Sequence, residues 1–277
     1  MIDRIEKMRG SIIQHGPQNN RIYLMRLNAD DPHGLVAILD DMAVKNGYGK
    51  IFAKIPAPAW NVFKSANYIK EAVIPQFFAG KIDGFFIAKF FSVRRQMVMN
   101  VEDLLKFAKP AKEGPVNDKH RAGKITREVV SCNPSNAEEM SMIYQQVFKS
   151  YPFPIQNPNY LKHIMKEGVL YFCIRIEGRM AAIAGLEIDL VNQNAEMTDF
   201  ATLPKWRGKG LAGKLLSHME HKAQELGIKT VYTIARARSR GMNFVFKKSG
   251  YNFSGLLKNN SQICGSIQSM TVWYKHI

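Results

Sequence analysis

Cysteine is scarce in this chain of 277 residues. Cys132, Cys173 and Cys264 lie far apart and in no CxxC spacing, so neither a disulfide framework nor a thiolate metal site is expected, and an odd, sparse set suits a reducing cytoplasm. Long apolar runs are also missing. Stretches such as GFFIAKFF are broken by Lys, Asn or Pro well short of the roughly 20 apolar residues that span a bilayer, so no transmembrane helix and no membrane partner are expected. The opening MIDRIEKMRG mixes charges of both signs without an apolar core, which argues against a secretory leader. Acidic residues are few, 23 against 39 Lys and Arg, leaving a formal charge of +16. That excess admits nucleic acid, an acidic membrane or an anionic cofactor as partner without choosing among them. Part of it lies in KFAKPAKEGPVNDKHRAGKITR, residues 106–127, where no aromatic interleaving suggests base stacking. A solvated basic linker, and no nucleic-acid partner, is the expectation there.

What is present is organised around that linker. It sets apart a first part, residues 1–107, a basic linker, 108–125, and a second part, 126–277, which reads as α/β with a mixed sheet. Apolar spacing predicts helices in NAEEMSMIYQQVFKSY and NPNYLKHIMKEG. VLYFCIRIEG, RMAAIAGLEIDLV and NAEMTDFATL then read as an antiparallel meander. From Gly210 the period turns helical, with Leu211, Leu215, Met219 and Leu226 on one face and Gly227 as the stop. KTVYTIA is a buried strand, RGMNFVFKKSG a helix and SMTVWYK a last strand. The first part carries a weak echo of this half: FKSANY at 63–68 stands against FKKSGY at 246–251. Helix, strand, helix, strand are therefore expected over residues 34–90, as a partial, degenerate copy lacking an RGKG-like loop.

The segment LPKWRGKGLAGKLLSHME admits three phosphate-binding readings. A Walker A loop needs Ser or Thr after its Lys to hold magnesium; Leu215 stands there and belongs to the apolar helix face. A dinucleotide turn needs its first glycine directly after a parallel strand and an acid about 20 residues on; LPKWR intervenes, and the next strand ends in ARARSR. A pyrophosphate turn of an acyl-coenzyme A enzyme needs a strand, a short connection, consecutive amides and a helix N-terminus. TDFATLP, KWRGKG and LAGKLLSHME supply these in order, with Arg207 and Lys209 adding charge.

With RGKGLA and MNFVFKKSGY in these positions, residues 126–277 resemble the GNAT family of N-acetyltransferases, whose pyrophosphate signature is R/Q-x-x-G-x-G/A. The resemblance implies the GNAT fold and acetyl-coenzyme A as cosubstrate, with no metal. The cofactor would lie on Arg207, Gly208, Lys209, Gly210, Leu211 and Ala212 and along Ala201, Thr202 and Leu203, with Ser239 and Phe246 close by. YPFPIQNPNYL, AEMTDFATLP, YTIARARSRGMNFVFKKSGY and LKNNSQICGSIQSMTVWYK are similar to a narrower branch of the family, the acetyltransferases of β-lysine. That resemblance implies a cytoplasmic enzyme acetylating the ε-amino group of a small-molecule amine to give a zwitterionic compatible solute. Another amine, or a non-catalytic basic module that retains the fold, are the alternatives.

An alkyl ammonium must lose its proton before it attacks a thioester, at a cost of about 4 kcal/mol near neutral pH. Strand alternation groups Asp199 with Met197, Ala201 and Leu203, and places Glu196 on the other face. Asp199 is thus the preferred base or ammonium anchor and Glu196 the second, unless Asp199 is merely the partner of a nearby Arg. The family often has a tyrosine acid where this chain has Phe246, so Tyr251 or Tyr232 is needed if the leaving thiolate is protonated. Cys264 as a nucleophile lacks a recognisable His partner, and direct transfer in a ternary complex is expected. For the substrate carboxylate, Arg236 and Arg238 offer bidentate donors. Tyr151 and Phe153 are placed as a substrate-covering loop, and Asn259 and Asn260 as amide contacts, by the resemblance.

Overall fold

The computed structural model describes residues 3–28, 30–105 and 128–277; the basic linker lies outside them. Six strands and two principal helices come first: β1 (Arg4–Met8), β2 (Ser11–Gly16), β3 (Arg21–Arg26), α1 (Pro32–Asn46), β4 (Lys50–Pro56), α2 (Trp60–Ser65), β5 (Ile69–Phe78) and β6 (Ile82–Phe90). Two short helices, α3 (Val93–Gln96) and α4 (Val101–Leu105), end this half. The second half opens with β7 (Val129–Cys132), α5 (Ala137–Val147) and α6 (Pro158–Lys166). The meander β8 (Leu170–Ile176), β9 (Arg179–Asp189) and β10 (Asn194–Thr202) follows. Then come α7 (Leu211–Glu225), β11 (Thr230–Arg236), α8 (Arg240–Lys248), β12 (Asn252–Ile263) and β13 (Ser266–His276).

All these strands join one sheet in the order β1-β2-β3-β4-β6-β5-β12-β13-β11-β10-β9-β8-β7. Counted outward from the β5·β12 junction, the two sides repeat the same roles. The parallel pair β3·β4 answers β10·β11, and α1 follows β3 as α7 follows β10. Local detail repeats as well. Helix α1 stops at Gly47, φ 66°, and Tyr48 N–H bonds Ala43 O at 2.9 Å; α7 is followed by Gly227, φ 74°, and Ile228 N–H bonds Ala223 O at 3.1 Å. Phe63 and Tyr68 meet edge-on at 5.2 Å, Phe246 and Tyr251 at 5.3 Å. In each pair the residue before the Tyr, Asn67 or Gly250, is left-handed (φ 66° and 81°), a conformation that Asn and Gly adopt at least cost.

Where the sequence predicted only a last strand, the structure has a long hairpin, β12–β13. Its β12 arm is interrupted by Gly255, which pairs with Ala72 of β5. A side chain there would put Cβ 2.1 Å from Glu71 O, so only glycine lets the two halves close edge to edge. Apolar side chains alternate across the sheet. Ile51 and Val231 face the helices of their own halves, while Phe52 and Tyr232 join one core on the other face, with Phe77, Phe86, Tyr171 and Val272 from both halves. Among the described residues no helix is long and apolar enough to cross a membrane.

Candidate active site

β10 and β11 are paired only through Asn194↔Thr230, Ala195↔Val231 and Glu196↔Tyr232. Past that point β10 bulges: Thr198 faces Gly185 of β9, but Ala201 faces Ile183, so one extra residue is inserted. Asp199 occupies the bulge with φ 56°. The insertion overturns the strict alternation expected from the sequence. Met197 packs in the core under α7 and Ala201 in the core of the opposite face. Asp199 therefore does not share a face with Met197, and it lines the same cavity as Glu196.

That cavity, of about 210 Å³, lies where the two halves meet, with Arg21, Tyr23 and Phe52 from the first and Glu187, Glu196 and Asp199 from the second. A second hollow of about 80 Å³ occupies the splay, lined by Phe200, Thr233, Ala235, Arg236, Ser239 and Phe246. Tyr151, Thr198, Asp199, Ile234, Ile263 and Met270 line both. Asp199 thus sits where one hollow opens toward the other. Its carboxylate accepts from Tyr171 Oη at 2.6 Å and Thr198 Oγ1 at 3.3 Å. Burial pushes its pKa up, and the hydroxyls of Tyr171, Tyr151 and Thr198 hold it back. Glu196 is raised to about 7 by burial and by the neighbouring Glu187 and Asp199 charges, against the pull of Lys54. Lys54, from β4, donates to Tyr232 Oη at 2.8 Å. Burial opposes its charge, but Tyr23, Tyr232, Glu196 and Glu187 around it keep the ammonium protonated.

Beyond β10, Gly208 and Gly210 have φ 74° and 75°. A Cβ on either would meet no protein atom within 4 Å, so backbone conformation, not crowding, requires glycine there, and the space over the turn is open. Helix α7 starts at Leu211 with no side-chain cap from Gly210. Its first amides lack the oxygen that usually satisfies them, and Arg207 and Lys209 are exposed beside them. The arrangement suits a diphosphate. In the first half the corresponding helix, α1, is closed to one: Asp31 Oδ1 caps Gly34 N–H at 2.9 Å.

The Acetyltransferase (GNAT) family pattern matches residues 136–251. The chain is 36% identical over 99% of its length to the beta-lysine N(6)-acetyltransferase of Methanococcus maripaludis, 99% of which is covered. The chain belongs to the GNAT family of acetyltransferases. A protein of the same description from Methanosarcina mazei is 28% identical, over 86% of this chain and 95% of that one. Among solved structures, the ribosomal-protein-S18-alanine N-acetyltransferase of Escherichia coli aligns with TM-score 0.48 and 19% identity, over 55% of this chain and 94% of that one. GNAT enzymes use acetyl-coenzyme A. Among the described residues no cluster of three or more His, Cys, Asp or Glu could hold a metal.

In this acetyltransferase several predicted residues stand around the two hollows. Ser239 and Phe246 line the splay, Phe246 edge-on to Phe200 at 5.6 Å. Ala201 and Thr202 pair with Ile183 and Ala182 of β9. Leu203 gives its N–H to Ala181 O at 3.0 Å and Arg207 Nε bonds Thr202 O at 3.2 Å. Tyr151 and Phe153 line the larger cavity, and the backbone of their segment is bonded by Gln18 and Gln14 of the first half at 2.7 and 2.8 Å. Asn260 also lines it.

Other residues are turned elsewhere. Tyr251 is buried under α7 facing Glu220, which with burial raises its pKa, and it lines neither hollow. It is no candidate for the leaving-group acid, because the FKKSGY turn that fixes Phe246 in the splay points the next aromatic the other way. Asn259 is bonded through Nδ2 to Arg95 O and Met97 O at 3.0 and 2.7 Å, away from the cavity. Arg238 is exposed outside both hollows, and Arg236, at the end of β11, lies in the splay and not in the larger cavity. Cys264, at the hairpin tip, lines neither.

Three contributors were missed. Arg21 and Glu187 come to the cavity, and Lys54 to the surroundings of Glu196, from strands whose sequence carries no motif. Only charge inside otherwise apolar strands, as in KIFAKIP and GLEID, marked them.

Proposed function

We propose that this acetyltransferase moves the acetyl group of acetyl-coenzyme A to the ε-amino group of β-lysine by direct attack in a ternary complex. The observation that carries the reading is the junction at Asp199, where a cavity rich in carboxylates opens into the splay of β10 and β11. The Arg207–Ala212 turn and the uncapped α7 would hold the diphosphate, and Thr202, Ser239 and Phe246 would flank the acyl arm. Acetyl-coenzyme A supplies the acetyl group as a thioester. The residues of the chain govern the amine.

A diammonium substrate entering the cavity replaces water by Glu187, Glu196 and Asp199, which compensate its charge. Asp199, at the junction, receives the reacting ammonium and its proton; Tyr171, Tyr151 and Thr198 hold the carboxylate in place. Glu196 anchors the substrate deeper in the cavity. A thiol of ordinary pKa near 8.5 is a tolerable leaving group without an acid, which accommodates Phe246; Tyr151 is the hydroxyl at the junction itself. The product keeps one ammonium and one carboxylate, the neutral zwitterion expected of a compatible solute. The repeated topology further supports the reading of residues 1–107 as a diverged copy of the catalytic half whose own anion seat is filled by Asp31.

The test is turnover of acetyl-coenzyme A against β-lysine, α-lysine, spermidine and a lysine peptide. The highest kcat/KM belongs to β-lysine; equal use of α-lysine overturns the substrate assignment.

A further inference from the structure

Three cations are buried together in the seam between the halves: Lys50, Arg21 and Arg95, at 0%, 2% and 7% exposure. Two carboxylates stand near them, and both are engaged. Glu71 takes Lys50 Nζ at 2.7 Å and Lys258 N–H at 2.8 Å. Asp3 takes the Asn19 side-chain amide at 2.6 Å and Gln18 N–H at 2.9 Å. One positive charge is left over in a place where an uncompensated charge is costly.

Of the three cations, Arg21 is the one that reaches the 210 Å³ cavity. Its Nη1 donates to Asn260 O at 2.7 Å and Ser261 Oγ at 2.9 Å, and its guanidinium lies 5.1 Å from the Tyr23 ring and 5.8 Å from that of Phe52. The fork is therefore held rigid. Its Nε, fully buried, has no partner, and elsewhere in the same wall Asn260 Oδ1 has none either. An unpartnered guanidinium N–H on a residue of the cavity wall calls for an acceptor, and the amide oxygen for a donor such as an ammonium. The same cavity carries its acids in the second half, Glu187, Glu196 and Asp199 on strands and Glu167 at the end of α6, so one molecule in it meets a cationic wall and an anionic wall.

We propose that Arg21 is the specificity residue that binds the carboxylate of the amino-acid substrate, with Asn260 and Ser261 as its setting. The inference rests on the larger cavity being the amine site proposed above. It gives the non-catalytic half a definite role, in which β3 makes the enzyme select a diamino acid over a diamine of the same amine spacing. A guanidinium fork matches a carboxylate with two parallel hydrogen bonds, which a lysine in its place does not.

The experiment compares wild type, R21Q and R21K on two substrate pairs, each an amino acid and its decarboxylated amine: β-lysine with 1,4-diaminopentane, and α-lysine with cadaverine. Wild type prefers the carboxylate-bearing member by about 100-fold or more in kcat/KM, as expected for loss of a desolvated charge pair. In R21Q that ratio falls toward one, and in R21K it is intermediate. The rise in Tm on adding coenzyme A, retained in both variants, shows that they fold. An equal loss on both members of a pair, or a wild type indifferent to the carboxylate, overturns the proposal while leaving amine acetylation standing. Preference for α-lysine over β-lysine with the Arg21 dependence intact overturns the β-lysine assignment and supports Arg21. Absence of turnover with every carboxylate-bearing amine overturns both.

Discussion

Tyr171 reaches from β8 to the bulge of β10 and donates its hydroxyl to Oδ2 of Asp199 across 2.6 Å. Gly185 makes the contact possible: a Cβ there would lie 2.9 Å from Tyr171 Cε1 and 3.5 Å from Asp199 Oδ2. A hydrogen bond to the ionised form lowers a carboxyl pKa, so Tyr171 works against the burial that raises Asp199. In Y171F that help is gone and Asp199 must titrate higher. The acid limb of kcat/KM against pH is expected to move up by about one unit, with the plateau at high pH retained in large part. A limb in its wild-type place removes Asp199 as the base.

Lys54 lies in the half without a cofactor loop, yet its charge acts on Glu196. Burial is the main cause of the Glu196 shift to about 7, and Lys54 is the main opposing influence. K54M therefore raises Glu196 further, leaving it neutral at pH 7 and weakening its hold on an ammonium. The expected outcome is a KM for the amine that rises several-fold at pH 7 and recovers toward pH 9, measured by steady-state kinetics at both pH values. A pH-independent KM contradicts the assignment of Glu196 as anchor.

At the turn proposed to seat the diphosphate, G210A forces a side chain into φ 75°. The cost is about 1–2 kcal/mol for a non-glycine residue, and the free loop escapes it by relaxing. Binding must then restore the strained form, so acetyl-coenzyme A is expected to bind about tenfold or more weakly by calorimetry, while thermal stability without ligand changes little. Unchanged affinity would place the diphosphate elsewhere.

The seam between the halves depends on the buried pair Lys50 and Glu71, 2.7 Å apart with side chains 0% and 1% exposed. Breaking such a pair from one side costs about 3–5 kcal/mol, and E71Q is expected to lose that much at pH 6 in denaturant unfolding. Burial already lowers Lys50 to about 8, and Glu71 holds it up; without Glu71 it falls further. Between the folded and unfolded pKa values the unfolded chain binds more protons, so stability rises with pH. That window opens earlier in the variant, and its deficit relative to wild type shrinks from pH 6 to pH 8. A deficit independent of pH contradicts the account.

What was legible in the sequence follows from how local each signal is. Gly208 and Gly210 announce a left-handed turn by themselves, and the helix face from Leu211 to Met219 and the strand TVYTIAR are periodic within a single element. FKSANY and FKKSGY could be matched because the edge-on Phe–Tyr pair and the left-handed residue between them are encoded in six consecutive positions. The bulge at Asp199 could not be seen: an inserted residue leaves no mark in composition, yet it turns every later side chain of β10 to the other face. β12 was missed because Gly255 and the polar run from Lys258 to Gln262 break its alternation, each for a contact with the first half. Arg21 was missed for the same reason. Its partners Asn260 and Ser261 are more than two hundred positions away, and nothing near Arg21 in the chain hints at a cavity.

The central claim is that the terminal amine of β-lysine is the group acetylated. It is tested most directly by incubating the enzyme with acetyl-coenzyme A labelled in the acetyl carbonyl and locating the label in the product by NMR. The account predicts one product, with the amide on the ε-nitrogen and the β-amine free; label on the β-nitrogen, or none on β-lysine, contradicts it.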